Sequence, residues 1–109
     1  MATIPIRVAP QSTETLEERF RRLEMLWRAE TGHLSSSNKI IGHPAFRDIV
    51  RMGNAVVPLM LRDLEQQPRL WVWALPEITG DDPVPVADRG DIVQMTVAWL
   101  RWAEEHGYR

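Results

Sequence analysis

A chain of 109 residues with 44% hydrophobic side chains suits one modest globular domain and is too apolar to stay disordered. A net charge of −2 argues against general attraction to nucleic acid or anionic membrane, although single faces can still be basic. With no cysteine there are no disulfide staples, which points to a reducing compartment.

The opening residues, Met1 to Arg7, lack a basic stretch followed by an apolar run of signal-peptide length. No segment approaches the ~18 apolar residues of a membrane span. The expectation is a soluble, cytoplasmic protein.

Residues 1–11 contain two prolines and no helical period, and read as a flexible N-terminal arm ahead of a single helical domain, 12–109. Ser12 or Thr13 is the expected cap of the first helix, with Glu14, Glu17 and Glu18 where the helix dipole favours acids. Leu16, Phe20, Leu23 and Trp27 recur at spacings of four, three and four and form its apolar stripe. Gly32 is the expected stop, in left-handed C-cap geometry.

A serine-rich connection, Leu34 to Asn38, leads to a short turn through Ile41. Pro44 then suits the first position of a helix that carries Phe46, Ile49 and Val50 and stops at Gly53. Asn54 is the expected cap of the next, with Val56, Val57, Leu59, Met60, Leu61 and Leu64, ending near Gln67. Pro68 opens a further helix through Trp71, Val72, Ala74, Leu75 and Ile78, closed by Gly80. Pro76 inside it predicts a kink or an early end. Gly80 to Gly90 is a loop, and the last helix starts near Asp88 or Asp91. Its stripe is Ile92, Met95, Trp99, Trp102 and Ala103, broadened by Val93, Val97 and Leu100, and Gly107 ends it. The only period-two segments are interrupted by Pro5 and Pro85, so the fold class is all-α, with about five helices.

The run Met52-Gly53-Asn54-Ala55-Val56-Val57-Pro58-Leu59-Met60-Leu61-Arg62-Asp63-Leu64 resembles the start of the second helix of a HEAT repeat. The resemblance implies stacked antiparallel hairpins over Pro44 to His106, the first helix acting as a cap, and recognition rather than chemistry. The segments Thr31 to Ser36, Trp73 to Gly80 and Ala98 to Trp102 also look like a family of small uncharacterised bacterial proteins, which implies no activity.

Residues that could carry chemistry are few. His33, His43 and His106 form no metal-ligand spacing, and His43 with Asp48 reads first as capping and surface. Asp81, Asp82, Asp88 and Asp91 lack the alternating ligand pattern of a calcium loop and read as turn and cap residues. Ser35, Ser36 and Ser37 have no nucleophile elbow. No catalytic residue, metal or cofactor is therefore expected.

Trp71 and Trp73 are the candidate partner contacts: on a helix they point about 200° apart and cannot both face one narrow core, so one is either buried by a neighbouring helix, the default, or exposed for a partner. The function expected is a non-catalytic helical protein-interaction module, binding another protein or a second copy of itself. An antitoxin, immunity protein or adaptor is the biology expected of it. The alternative is nucleic-acid binding through Arg19, Arg22, Arg28, Arg47 and Arg51, which needs them on one continuous surface.

Overall fold

The computed structural model describes residues 14–34 and 37–108. The N-terminal arm 1–11, the proposed caps Ser12 and Thr13, and Ser35 and Ser36 lie outside the described residues. Those described form six α-helices and no strand: α1 Leu16–Thr31, α2 Ser37–Ile41, α3 Pro44–Arg51, α4 Val57–Gln66, α5 Trp71–Thr79 and α6 Ile92–Glu105. Two 3₁₀ turns, Gly53–Val56 and Val86–Asp88, fill the joints before α4 and α6.

The helix ends follow from local chemistry. The N-cap of α1 is Thr15, two residues beyond the expected site. Its hydroxyl accepts from the Glu18 amide at 3.0 Å while the Glu18 carboxylate takes the Thr15 amide at 2.8 Å. That reciprocal box satisfies two amides that the first turn leaves open. Gly32 does end α1, its N–H donating to the Arg28 carbonyl at 3.0 Å, but with φ −59° and not in left-handed geometry.

Helix α3 has Pro44 in its first turn and His43 as N-cap. Asn54 makes no cap and lies within the 3₁₀ turn; α4 instead enters directly from that turn, with Pro58 in its first turn. Helix α5 continues past Pro76 to Thr79 and does not end early. It closes at Gly80, whose φ of 79° is the left-handed geometry a C-cap glycine supplies. Asp91 caps α6 by accepting from the Gln94 amide at 3.2 Å.

Helix α1 packs on α3, α4 packs on α5 and α6, and α5 touches both α3 and α6. The core therefore runs continuously from Phe20, Leu23 and Trp27 through Phe46 and Ile49 to Leu64, Trp71, Leu75 and Trp99. At its centre Trp71 lies 5.2 Å from Phe20 and 5.4 Å from Trp27, centroid to centroid, and Trp27 lies 5.1 Å from Phe46. Four large rings thus join three helices, each burying much more apolar area than an aliphatic residue would. The loop before α6 is fastened by Val84, which is buried in the same core.

One expected stripe needs correction. Val93 and Val97 are 55% and 44% exposed and do not broaden the core face of α6, while Leu100 is half-buried against it. They lie about 100° and 140° around the helix from Ile92, beyond the arc that α4 and α5 cover.

Candidate functional site

Polar groups held within this apolar frame mark the site. Glu24 falls on the core stripe of α1, four residues after Phe20 and three before Trp27, and Asp63 falls on that of α4, between Met60 and Leu64. Both carboxylates are buried. Arg21 joins them: its Nη1 donates to Glu24 and to Asp63 Oδ2, and its Nη2 donates to Asp63 Oδ1, all at 2.8 Å. The Trp71 indole N–H also donates to Asp63, at 2.9 Å. Arg28 and Arg69 reach the other oxygen of Glu24 at 3.1 and 3.5 Å.

The electrostatics follow from these contacts. Burial pushes the Asp63 carboxyl up, but the hydrogen bonds from Arg21 and Trp71 and the charges of Arg21 and Arg69 prevail and hold it below its ordinary value. The Arg21 guanidinium is pushed further up by the same pairing with Asp63, against its own burial.

Next to this network opens a cleft of about 490 Å³ at the junction of the end of α1, the α4–α5 turn and the start of α6. Trp27, Leu34, Ile40, Leu70 and Ile92 supply apolar wall; Arg28, Thr31, Gln67 and Arg69 supply the polar part. The walls are fixed from behind. Trp27 donates its indole N–H to the Ile40 carbonyl at 2.8 Å, pinning α2 to α1, and Thr31 turns its hydroxyl back to the Trp27 carbonyl at 2.6 Å. Arg69 Nε is buried and has no hydrogen-bond partner among the described residues. The cleft has the size that ligand sites use, with polar and apolar surface in nearly equal parts.

The two tryptophans that are candidates to meet a partner are placed otherwise. Trp71 is fully buried, its ring enclosed by Phe20, Trp27 and Phe46 and its N–H taken by Asp63, so it is removed from any contact surface. Trp73 is half-buried and packs against the core. The 200° between them is met by a core wide enough to take both sides of α5. Among the described residues the exposed large apolar side chains are instead Leu16, Met25, Leu26, Val86, Val93, Val97 and Tyr108.

The five arginines of the nucleic-acid alternative are largely committed to carboxylates. Arg22 pairs with Glu14, Arg28 with Glu24, Arg47 with Glu77 through two bonds of 2.7–2.8 Å, and Arg51 with Asp48. Arg19 lies close enough to Glu14 to help hold its carboxyl down, after the Arg22 hydrogen bond that dominates. Arg47 also holds the Glu77 carboxyl below its ordinary range.

His43 and Asp48 do not meet. The His43 Nδ1 accepts from the Ala45 amide at 3.0 Å, and its Nε2 faces Glu30 at 2.7 Å. With Nδ1 accepting, the network assigns the proton to Nε2, which donates to Glu30. His43→Ala is expected to lower unfolding stability by about 1 kcal/mol, the usual scale of a lost N-cap. Urea denaturation of the variant checks this, with an unchanged midpoint as the contrary result.

His33 is exposed beyond α1, and His106 is the C-cap of α6, stacked on Trp102 at 4.2 Å. Asp81 accepts from the Trp102 indole at 2.9 Å, Asp82 pairs with Arg89, and Asp91 caps α6. Among the described residues no group of three His, Cys, Asp or Glu side chains is placed to hold a metal ion. No helix of the described residues is long and apolar enough to cross a membrane.

Sequence reasoning missed Glu24 and Asp63. The signal was present: each is a carboxylate at a core position of an amphipathic helix, where burial requires partners. Comparison with protein-family models, curated proteins and solved structures gives no match to this chain.

Proposed function

We propose that the chain is a non-catalytic helical module that binds another protein, and that the cleft beside Trp27 is where it does so. The observation that carries the reading is the cleft itself: apolar walls held rigidly by hydrogen bonds from behind, with guanidinium groups at one side. Such a preformed surface lowers the ordering cost of association. The polar side chains elsewhere are mostly engaged in caps and ion pairs, which are structural tasks. A bacterial antitoxin, immunity protein or adaptor subunit, working in the cytoplasm, is the biological setting that suits a module of this kind. A HEAT-like stacking of helical hairpins is part of the same proposal.

Affinity capture of the tagged protein from its native lysate, with and without nuclease, tests it. The expected result is one stoichiometric partner that survives nuclease and is lost with Ile92→Arg, which places a charge at the cleft wall, but retained with Val97→Arg on the outer side of α6. Material released by nuclease would favour the arginine surface instead. Recovery of the bait alone, monomeric in solution, would count against the module.

A further inference from the structure

The ion-pair network and the cleft share two residues, Arg28 and Arg69, and that overlap identifies a ligand chemistry. In the network three guanidiniums, of Arg21, Arg28 and Arg69, meet two carboxylates, of Glu24 and Asp63. One positive charge is left over. It falls on Arg69, whose side-chain hydrogen bond to Glu24, at 3.5 Å, is the longest in the network and whose buried Nε has no partner among the described residues. Arg21, by contrast, is satisfied by two acids at 2.8 Å. The Nε itself is closed off, but the part of the Arg69 guanidinium that lines the cleft carries charge its neighbours do not balance, and that favours a further acceptor there. The planar guanidinium selects carboxylate oxygens as that acceptor, because its fork matches their spacing.

The remaining walls decide what carries the carboxylate. Trp27, Ile40, Leu70 and Ile92 offer aliphatic and aromatic surface and no further cation. A phosphate chain would gain little from such walls, and it usually recruits several basic groups at once. We propose that the cleft takes an apolar peptide segment of a partner protein by its carboxylate, held by Arg69 with Arg28, the apolar side chains lying against Trp27, Leu70 and Ile92. The inference rests on the protein-binding reading and names the chemistry of the partner.

The test uses the full ¹⁵N-labelled chain and a short acetylated peptide of leucine and phenylalanine with a free C-terminal carboxylate, set against the same peptide as its C-terminal amide. The acid is expected to shift the amide signals of Gly32, Leu34, Leu70 and Ile92 and the indole signal of Trp27. The amide form is expected to bind about ten-fold or more weaker, the scale of a charge-assisted hydrogen bond lost. Arg69→Gln is expected to weaken the acid by a similar factor while leaving the amide unchanged. Arg28→Gln serves the same purpose should Arg69→Gln lose its dispersed spectrum.

Equal titration by acid and amide, shifts confined to other faces, or no shift with either peptide would overturn the proposal. Competition by inorganic phosphate as strong as by the peptide acid would also overturn it, in favour of a simple anion site. A partner captured from lysate that cross-links only near Val93 and Val97 would remove the carboxylate cleft yet leave the interaction module standing.

Discussion

Trp71→Ala is expected to cost about 3–5 kcal/mol of unfolding stability, the range for truncating a large buried ring. The indole is fully buried, touches Phe20, Trp27 and Phe46, and supplies a hydrogen bond to Asp63. Its loss therefore opens a cavity at the meeting of α1, α3 and α5 and also leaves a buried acceptor with fewer donors. For a domain whose whole stability lies in the range of about 5–15 kcal/mol, that is enough to leave much of the protein unfolded at moderate temperature. Trp71→Phe keeps most of the ring packing and gives up the N–H, so it should fall between alanine and wild type. Urea denaturation followed by circular dichroism reads both. A loss below about 1 kcal/mol for alanine would mean that Trp71 is not the centre of the core.

Asp63→Ala is the second large effect, about 2–4 kcal/mol. Removing one member of a buried pair strands the other, and here Arg21 loses two bonds and Trp71 one. The side chain of Arg21 is 35% exposed and water recovers part of its solvation, which keeps the figure below that of a fully enclosed pair. Replacing both partners, as Arg21→Met with Asp63→Leu, should restore part of the loss, because an apolar pair carries no desolvation cost. A double variant no better than Asp63→Ala would contradict that account.

The same carboxylate gives the fold an acid limit. Its folded pKa lies below the ordinary 3.8, so its contribution is complete above that value and disappears as pH falls through the lower folded value. Glu14 and Glu77, held down by Arg22 and Arg47, act in the same direction. Stability measured from pH 6 downward should therefore decline below about pH 4, and Asp63→Asn should flatten the decline. A variant as acid-sensitive as wild type would assign the effect to other carboxylates.

Much of the helical framework was legible because apolar spacing and terminators agreed. The stripe Leu16, Phe20, Leu23, Trp27 forecast α1, and all but Leu16 are buried. Pro44 and Gly53 bracketed α3, and Asp91 opened α6. Most of what escaped depended on distance in space. Local spacing does not say whether the second side of α5 meets solvent or another helix. The cap at Thr15 was not of that kind, since Glu18 three residues on completes the capping-box spacing that Ser12 and Thr13 lack.

The candidate site was the least legible part. Its apolar walls come from α1, α2, the α4–α5 turn and α6, so no single segment carries its pattern. The pairing of Arg21 with Asp63 spans 42 positions along the chain. A stricter reading of the helical stripes would have found Glu24 and Asp63 as carboxylates in core positions. It would not have found that the third arginine, Arg69, comes from the turn beyond α4.

Hydrogen exchange of the chain, free and bound to its captured partner, tests the central claim most directly. The account predicts added protection at the end of α1, at Gln67 to Leu70 and at the start of α6, the three segments that frame the cleft. Protection confined to the outer side of α6 or to the arginine-bearing side of α3, with these segments unchanged, would contradict it.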